Sequence, residues 1–222
     1  MTKTERKLGT WAAILSAVFA VLWFITFNMK DFFRAVPDWQ NLTAYADAFR
    51  ISRFTLIYPS LLLALTYLVL LVSFHRVLAE NKKTWSLIAL VVGILYAAMA
   101  SINYNIQAVS VRMSLAAGQT QGIEMFIPDN LNSIFNALAN SYVYMSLSMF
   151  FAGFAYQEGK LEKWIRGLLL VQIVPAIGQI GYSMFDWPEM IFILTSMVWV
   201  IGAPIAFVLM AIWFNRSIGR ER

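Results

Sequence analysis

Six long apolar stretches constrain the fold of this chain more than any other feature of its sequence. Each holds about 20 or more mostly apolar residues, which an α-helix needs to cross roughly 30 Å of hydrocarbon. Strands of a membrane barrel would alternate in polarity, and the run Leu61-Leu62-Leu63-Ala64-Leu65 does not. The sequence therefore predicts an all-α, polytopic membrane protein, with residues 1–222 in one six-helix bundle. The predicted spans are 8–28, 54–78, 85–110, 131–156, 164–185 and 190–214, and the predicted outer loops are 29–53 and 111–130.

Composition excludes several classes of protein. The chain is 60% hydrophobic and 13% charged, whereas about 25% of a soluble domain is charged. This argues against a soluble enzyme, a disordered chain and a secreted disulfide-stapled module. Cysteine is absent and His75 is the single histidine, so we expect no metal site and no cofactor. The sequence also lacks the common hydrolase, metalloprotease and phosphate-loop motifs, which predicts a protein that is not an enzyme.

The basic residues predict which way the bundle faces. Twelve of the 17 fall on one side of the predicted spans and five on the other. The larger group is Lys3, Arg6, Lys7, Arg76, Lys82, Lys83, Lys160, Lys163, Arg166, Arg216, Arg220 and Arg222; the smaller is Lys30, Arg34, Arg50, Arg53 and Arg112. By the positive-inside rule both termini are predicted to be cytoplasmic, most simply in a bacterial cytoplasmic (inner) membrane. Because no basic run exceeds two residues, we expect contact with membrane lipid rather than nucleic acid.

Neutral polar residues form stripes on three predicted spans. Steps of four or seven residues place each stripe on one helix face, and the predicted topology places them in the outer half of the bundle. We predict that they line a ligand pocket there. The predicted pocket residues are Tyr96, Asn103, Gln107, Asn132, Asn136, Asn140, Gln179 and Ser183, with Arg112 and Asp186 at the rim.

These stripes permit two functions. One is the binding or passage of a small neutral or amphipathic ligand in an outward-facing pocket. The other is a structural or accessory subunit of a membrane complex, in which the amides only hydrogen-bond between helices and hold the bundle together. No Asp, Glu, Lys or Arg lies in the middle of a span, which argues against a proton relay or an ion-coupled pump.

Small residues and prolines indicate where helices approach closely or bend. Ala13, Ser16, Ala17 and Ala20 give the first span a small face that favours close packing, either inside the chain or with a membrane protein partner. Pro175 and Pro204 are predicted to kink the fifth and sixth spans, as hinges or as static bends. In the first outer loop, apolar residues at helical spacing predict a short helix: Trp39, Leu42, Tyr45, Ala46 and Phe49.

The layout resembles two groups of known proteins. A first outer loop ending Ala48-Phe49-Arg50, a second span ending His75-Arg76-Val77-Leu78 and a short basic turn resemble uncharacterised bacterial multi-span membrane proteins. That resemblance implies a six-span fold and no particular activity. The span number, long outer loops and small-residue first span are also similar to the substrate-binding S-components of energy-coupling-factor transporters. This second resemblance implies an outward pocket and a docking face on the first span.

Overall fold

The described part of the chain is helical throughout. A computed structural model describes residues 3–28, 40–47, 57–127, 133–156 and 159–219, and these contain helices and turns without a β-strand. The α-helices are α1 (Lys3–Asn28), α2 (Leu42–Asp47), α3 (Ile57–Val77), α4 (Lys83–Asn105), α5 (Arg112–Ala116), α6 (Ile134–Ala139), α7 (Ser141–Gly153), α8 (Lys160–Leu170), α9 (Ile173–Phe185) and α10 (Glu189–Gly219). The prediction of an all-α fold is confirmed for these residues.

Five helical segments are long and apolar enough to cross a membrane, which fits an integral membrane protein. They are Thr4–Thr26, Ile57–Val77, Glu80–Ala116, Lys160–Phe185 and Glu189–Arg216. Between 28% and 50% of each apolar window is buried inside the bundle. Many of the other apolar side chains are exposed, Trp11 and Leu194 among them, as expected for helices in lipid. The predicted span 131–156 corresponds to α6 and α7, and neither of these is long enough to cross alone.

The helices differ from the predicted spans where their hydrogen-bonding pattern changes. A π-helical turn, Ile106–Val111, joins α4 to α5, so the helix continues through residues 111–116, which were predicted to begin the outer loop. A turn at Asn140 separates α6 from α7.

Of the two prolines predicted to kink spans, one coincides with an interruption. A turn at 171–172 separates α8 from α9, just ahead of Pro175, which lacks an N–H and crowds the carbonyl four residues earlier. Pro204 instead lies within the unbroken α10.

The long helical segments pack as a closed ring. Helix α1 packs against α3 and α10, α3 also packs against α4, and α4 also packs against α7. Helix α7 then contacts α8 and α9, and both of these contact α10, which completes the ring.

The first and last segments close this ring at one end of the bundle. A Cβ atom added to Gly9 of α1 would lie 2.6 Å from the ring of Phe214 in α10, so the two helices touch there. At the same end, Arg76 from the end of α3 forms an ion pair with Glu5 at 3.0 Å. The beginning of α1 and the end of α10 therefore lie on the same side of the bundle.

The small face of α1 is used within the chain. Ala13, Ser16, Ala17 and Ala20 are all buried, and the Ser16 hydroxyl donates to Thr66 Oγ1 of α3 at 3.1 Å. Their small side chains let α1 lie close to α3 and α10. These residues are covered by the bundle itself, so a partner docking on α1 would meet its outward side instead.

The short helix predicted in the first outer loop is confirmed in part. Helix α2 begins after Asn41, whose Oδ1 accepts a hydrogen bond from the Ala44 N–H at 2.9 Å, as a helix cap does. Tyr45 is buried in the core. Trp39 and Phe49, which were predicted to share this apolar face, lie outside the described residues.

Candidate functional site

Aromatic side chains fill the axis of the ring. We call this group the axial cluster; it contains Trp23, Tyr67, Tyr96, Tyr142, Trp199 and Phe207. The Tyr142 ring centroid lies 5.5 Å from Trp23, 5.7 Å from Tyr96 and 5.6 Å from Trp199. The Tyr67 ring centroid lies 5.8 Å from the ring centroids of both Tyr96 and Phe207. These contacts bring side chains from five helices, α1, α3, α4, α7 and α10, together at the centre of the bundle.

Most polar atoms beside the axial cluster are hydrogen-bonded. The Tyr67 hydroxyl donates to Ser148 Oγ at 2.8 Å, and the Ser148 hydroxyl donates to the Ala89 carbonyl at 2.6 Å. The hydroxyls of Tyr104 and Tyr142 lie 3.1 Å apart. These hydrogen bonds join α3, α4 and α7 around the axis.

Two polar atoms of the axial cluster have no partner among the described residues: the Tyr96 hydroxyl and the Trp199 Nε1–H. Tyr96 is fully buried and Trp199 is 5% exposed. In a bilayer, where water does not compete, an unpaired polar group costs several kcal/mol. These two atoms are therefore unsatisfied polar groups within the axial cluster.

Two of the predicted pocket amides bond directly between helical segments. The Asn103 side chain donates to the Phe135 carbonyl in α6 at 3.3 Å. The Gln179 side chain in α9 donates to Asn140 Oδ1 at 3.0 Å. The first bond joins α4 to α6, and the second joins α9 to the turn between α6 and α7.

Only one of the two polar atoms of the Gln107 side chain has a hydrogen-bond partner among the described residues. It lies in the π-helical turn, is 1% exposed and donates through Nε2 to the Phe126 carbonyl. That bond fixes the following loop, where Ile123 and Ile127 are buried. Its side-chain carbonyl oxygen, Oε1, is buried without a partner in the described part of the chain.

The other predicted pocket residues do not all join this group. Asn136 is half-buried, and its backbone N–H donates to the capping hydroxyl of Ser133 at 3.3 Å. Ser183 is exposed and donates to the Gln179 carbonyl of its own helix at 2.8 Å. Asn132 lies outside the described residues.

The two predicted rim residues occupy helix ends. Arg112 follows the π-helical turn, and its Nε donates to the Ala108 carbonyl at 2.8 Å. Asp186 ends α9 in the left-handed conformation, with φ of 53°, and is exposed. Their role at a pocket rim stays a prediction.

Sequence reasoning missed Trp23, Tyr104, Tyr142 and Trp199, because helically spaced aromatic residues usually indicate an ordinary core. The positions of the tryptophans along the predicted spans could have indicated two of these residues. Six of the eight lie near predicted membrane boundaries, where interfacial tryptophans are enriched. The other two, Trp23 and Trp199, are the two in the axial cluster.

Comparisons with protein-family models, with curated proteins and with solved structures find no match to this chain. The two resemblances described above therefore stay predictions.

Proposed function

We propose that this chain is an integral membrane protein that binds or passes a small neutral or amphipathic molecule through a polar pocket in the outer half of the bundle, and that it is not an enzyme. The supporting observation is Gln107, whose Oε1 is buried and lacks a partner among the described residues. A ligand that donates a hydrogen bond would pair with this oxygen. The π-helical turn around it supports the proposal, because such turns are frequent at functional sites.

The proposed topology has six spans and cytoplasmic termini. Helices α6 and α7 together supply the fourth crossing, with the turn at Asn140 inside it. The contact between Gly9 and Phe214 supports an even number of crossings. Basic side chains are concentrated at that same end, which favours the cytoplasmic side of a bacterial membrane.

The test compares two glutamines of opposite exposure. Gln107→Leu removes the unpaired oxygen, and Gln119→Leu makes the same change at an exposed loop position. Thermal unfolding of the purified protein would be followed with glycerol, acetamide and glycerophosphocholine as neutral and zwitterionic probes. We expect at least one probe to raise Tm by about 2–4 °C in the wild type and in Gln119→Leu, but not in Gln107→Leu.

Two outcomes would contradict the pocket. One is that no probe stabilises the wild type; the other is that a stabilising probe acts equally on Gln107→Leu. A triple variant, Asn103→Leu, Asn136→Leu and Gln179→Leu, extends the test to the neighbouring amides and should also lose the probe effect.

A second candidate function is a structural or accessory subunit. The bonds from Asn103 to Phe135 and from Gln179 to Asn140 favour it, because amides paired within the chain need no ligand. Under this proposal a membrane protein partner would co-purify at fixed stoichiometry in native mass spectrometry. A monomer that retains a bound small molecule would count against it.

A further inference from the structure

Three buried polar atoms near the middle of the bundle have no hydrogen-bond partner within the described segments. They are the hydroxyl of Tyr96, the Nε1–H of Trp199 and the side-chain carbonyl of Gln172. Tyr96 and Gln172 are fully buried and Trp199 nearly so. We call these three residues the mid-depth trio.

All three residues lie several helical turns from either end of their segments. Tyr96 follows Lys83, the start of α4, by 13 residues, and Gln172 follows Lys160, the start of α8, by 12. At 1.5 Å per residue these positions lie about 20 Å and about 18 Å along their segments. Trp199 lies about 15 Å from the other end of the bundle, measured from Glu189. Each is therefore near the middle of a membrane crossing.

The three residues are connected through neighbours that they share. The rings of Tyr96 and Trp199 both contact Tyr142, with centroids 5.7 Å and 5.6 Å away. Gln172 lies against Gly202, because a Cβ atom there would be 2.7 Å from Gln172 Nε2. Gly202 follows Trp199 by three residues on α10, which places the two on neighbouring positions of one helix face.

The trio's hydrogen-bonding chemistry is complementary to one kind of group. The Trp199 N–H can only donate and the Gln172 oxygen can only accept, while the Tyr96 hydroxyl can do either. A metal cation would leave the indole N–H unpaired, and a ketone or ether would leave the Gln172 oxygen unpaired. A hydroxyl is the smallest group whose single oxygen both accepts and donates.

We infer that the mid-depth trio binds a hydroxyl group, supplied by water or by an alcohol whose apolar body packs against the axial cluster. This inference rests on the proposed function and deepens it by naming the chemistry of the ligand at the inner end of the pocket. Water and an alcohol offer the trio the same atoms, and the experiment below distinguishes them.

A double-mutant cycle tests the site without emptying the core. Tyr96→Phe removes only a hydroxyl, whereas Trp199→Phe removes the Nε1–H together with part of the indole and adds a cavity cost of its own, so the coupling between the two changes is the decisive readout. If both atoms bind one hydroxyl, each change should lower Tm by about 2–4 °C. The double variant should lose less than the sum, because after the first change the shared partner is already weakened.

Tyr104→Phe is the matched control, because its hydroxyl is paired with that of Tyr142 and its loss calibrates the effect of removing a bonded tyrosine hydroxyl. The inference would be overturned if Tyr96→Phe and Trp199→Phe leave Tm unchanged or raise it, or if their effects simply add. Removing an atom that has no partner costs nothing, and two atoms without a common partner are independent.

Benzyl alcohol and toluene distinguish the two hydroxyl sources, because they share a ring and differ in the hydroxyl. A larger rise in wild-type Tm with benzyl alcohol, abolished by Trp199→Phe, identifies an alcohol ligand. If the double-mutant cycle shows coupling but benzyl alcohol and toluene raise Tm equally, the hydroxyl belongs to water. Neither readout uses Gln107, so the mid-depth site can fail while the outer pocket stands, and the reverse.

Discussion

The contact between α9 and α10 at Gly178 yields the sharpest stability prediction. A Cβ atom added to Gly178 would lie 2.6 Å from Thr195 Cβ and 3.0 Å from its Cγ2, and closer still to Oγ1. Thr195 has little freedom to move away. Its hydroxyl donates to the carbonyls of Ile191 and Phe192 at 2.9 Å and 3.0 Å, and its Cβ is attached to the α10 backbone.

We therefore expect Gly178→Ala to force the two helices apart. Overpacking of this kind costs about 1–3 kcal/mol, against a helix-propensity gain of about 0.5–1 kcal/mol for replacing glycine with alanine. Because the obstacle includes a backbone-attached carbon, the upper part of the range applies and the net loss should be about 2 kcal/mol. The free energy of unfolding would be measured in mixed dodecylmaltoside and sodium dodecyl sulfate micelles.

Gly167→Ala is the matched control. It is also a helical glycine, and an added Cβ would meet nothing within 4 Å, so this variant should be neutral or slightly stabilised. Thr195→Gly should rescue Gly178→Ala by about 1–3 kcal/mol relative to additivity, whereas Thr195→Ala keeps the Cβ and should rescue less. Equal stability of the two alanine variants, or no rescue by Thr195→Gly, would refute the steric reasoning.

Two further predictions concern hydrogen bonds and charge. Ser148→Ala should destabilise the protein by about 1–3 kcal/mol, because the buried Tyr67 hydroxyl loses its acceptor, and Tyr67→Phe should cost less. The same micelle titration compares the two variants, and the reverse order would contradict the hydrogen bond from Tyr67 to Ser148. Arg76→Ala should cost under about 1 kcal/mol, because its ion pair with Glu5 is solvent-exposed; a larger loss in low salt would show that this pair holds the end of the ring.

Hydropathy predicted most of the fold, because the cost of burying unpaired backbone groups in lipid leaves an apolar segment little alternative to a helix. The same argument says nothing about interruptions inside an apolar segment. The turn at Asn140 and the π-helical turn at 106–111 depend on which residue each backbone group meets in a neighbouring helix. Pro175 was the exception, since its effect on the preceding turn is local.

The candidate site was predicted where polarity contrasts with lipid and missed where it does not. Asn103 and Gln107 stand out in an apolar segment, and both are buried. Tyr142 and Trp199 do not stand out, because their contacts depend on the packing of the helices that carry them. Ser183 fits the spacing of the stripe, and its hydroxyl bonds to its own helix, so its place in a pocket stays a prediction.

The closure of the ring by α1 and α10 has a consequence for how the protein is made. The two helices are separated by more than 150 residues of chain, and synthesis proceeds at about 5–20 residues per second. Roughly 8–32 s therefore pass between the synthesis of α1 and the start of synthesis of α10. Throughout that time the side of its small-residue face that meets α10 is open to lipid or to other membrane proteins. During this interval that face of α1 has the greatest need of protection by a chaperone or insertase.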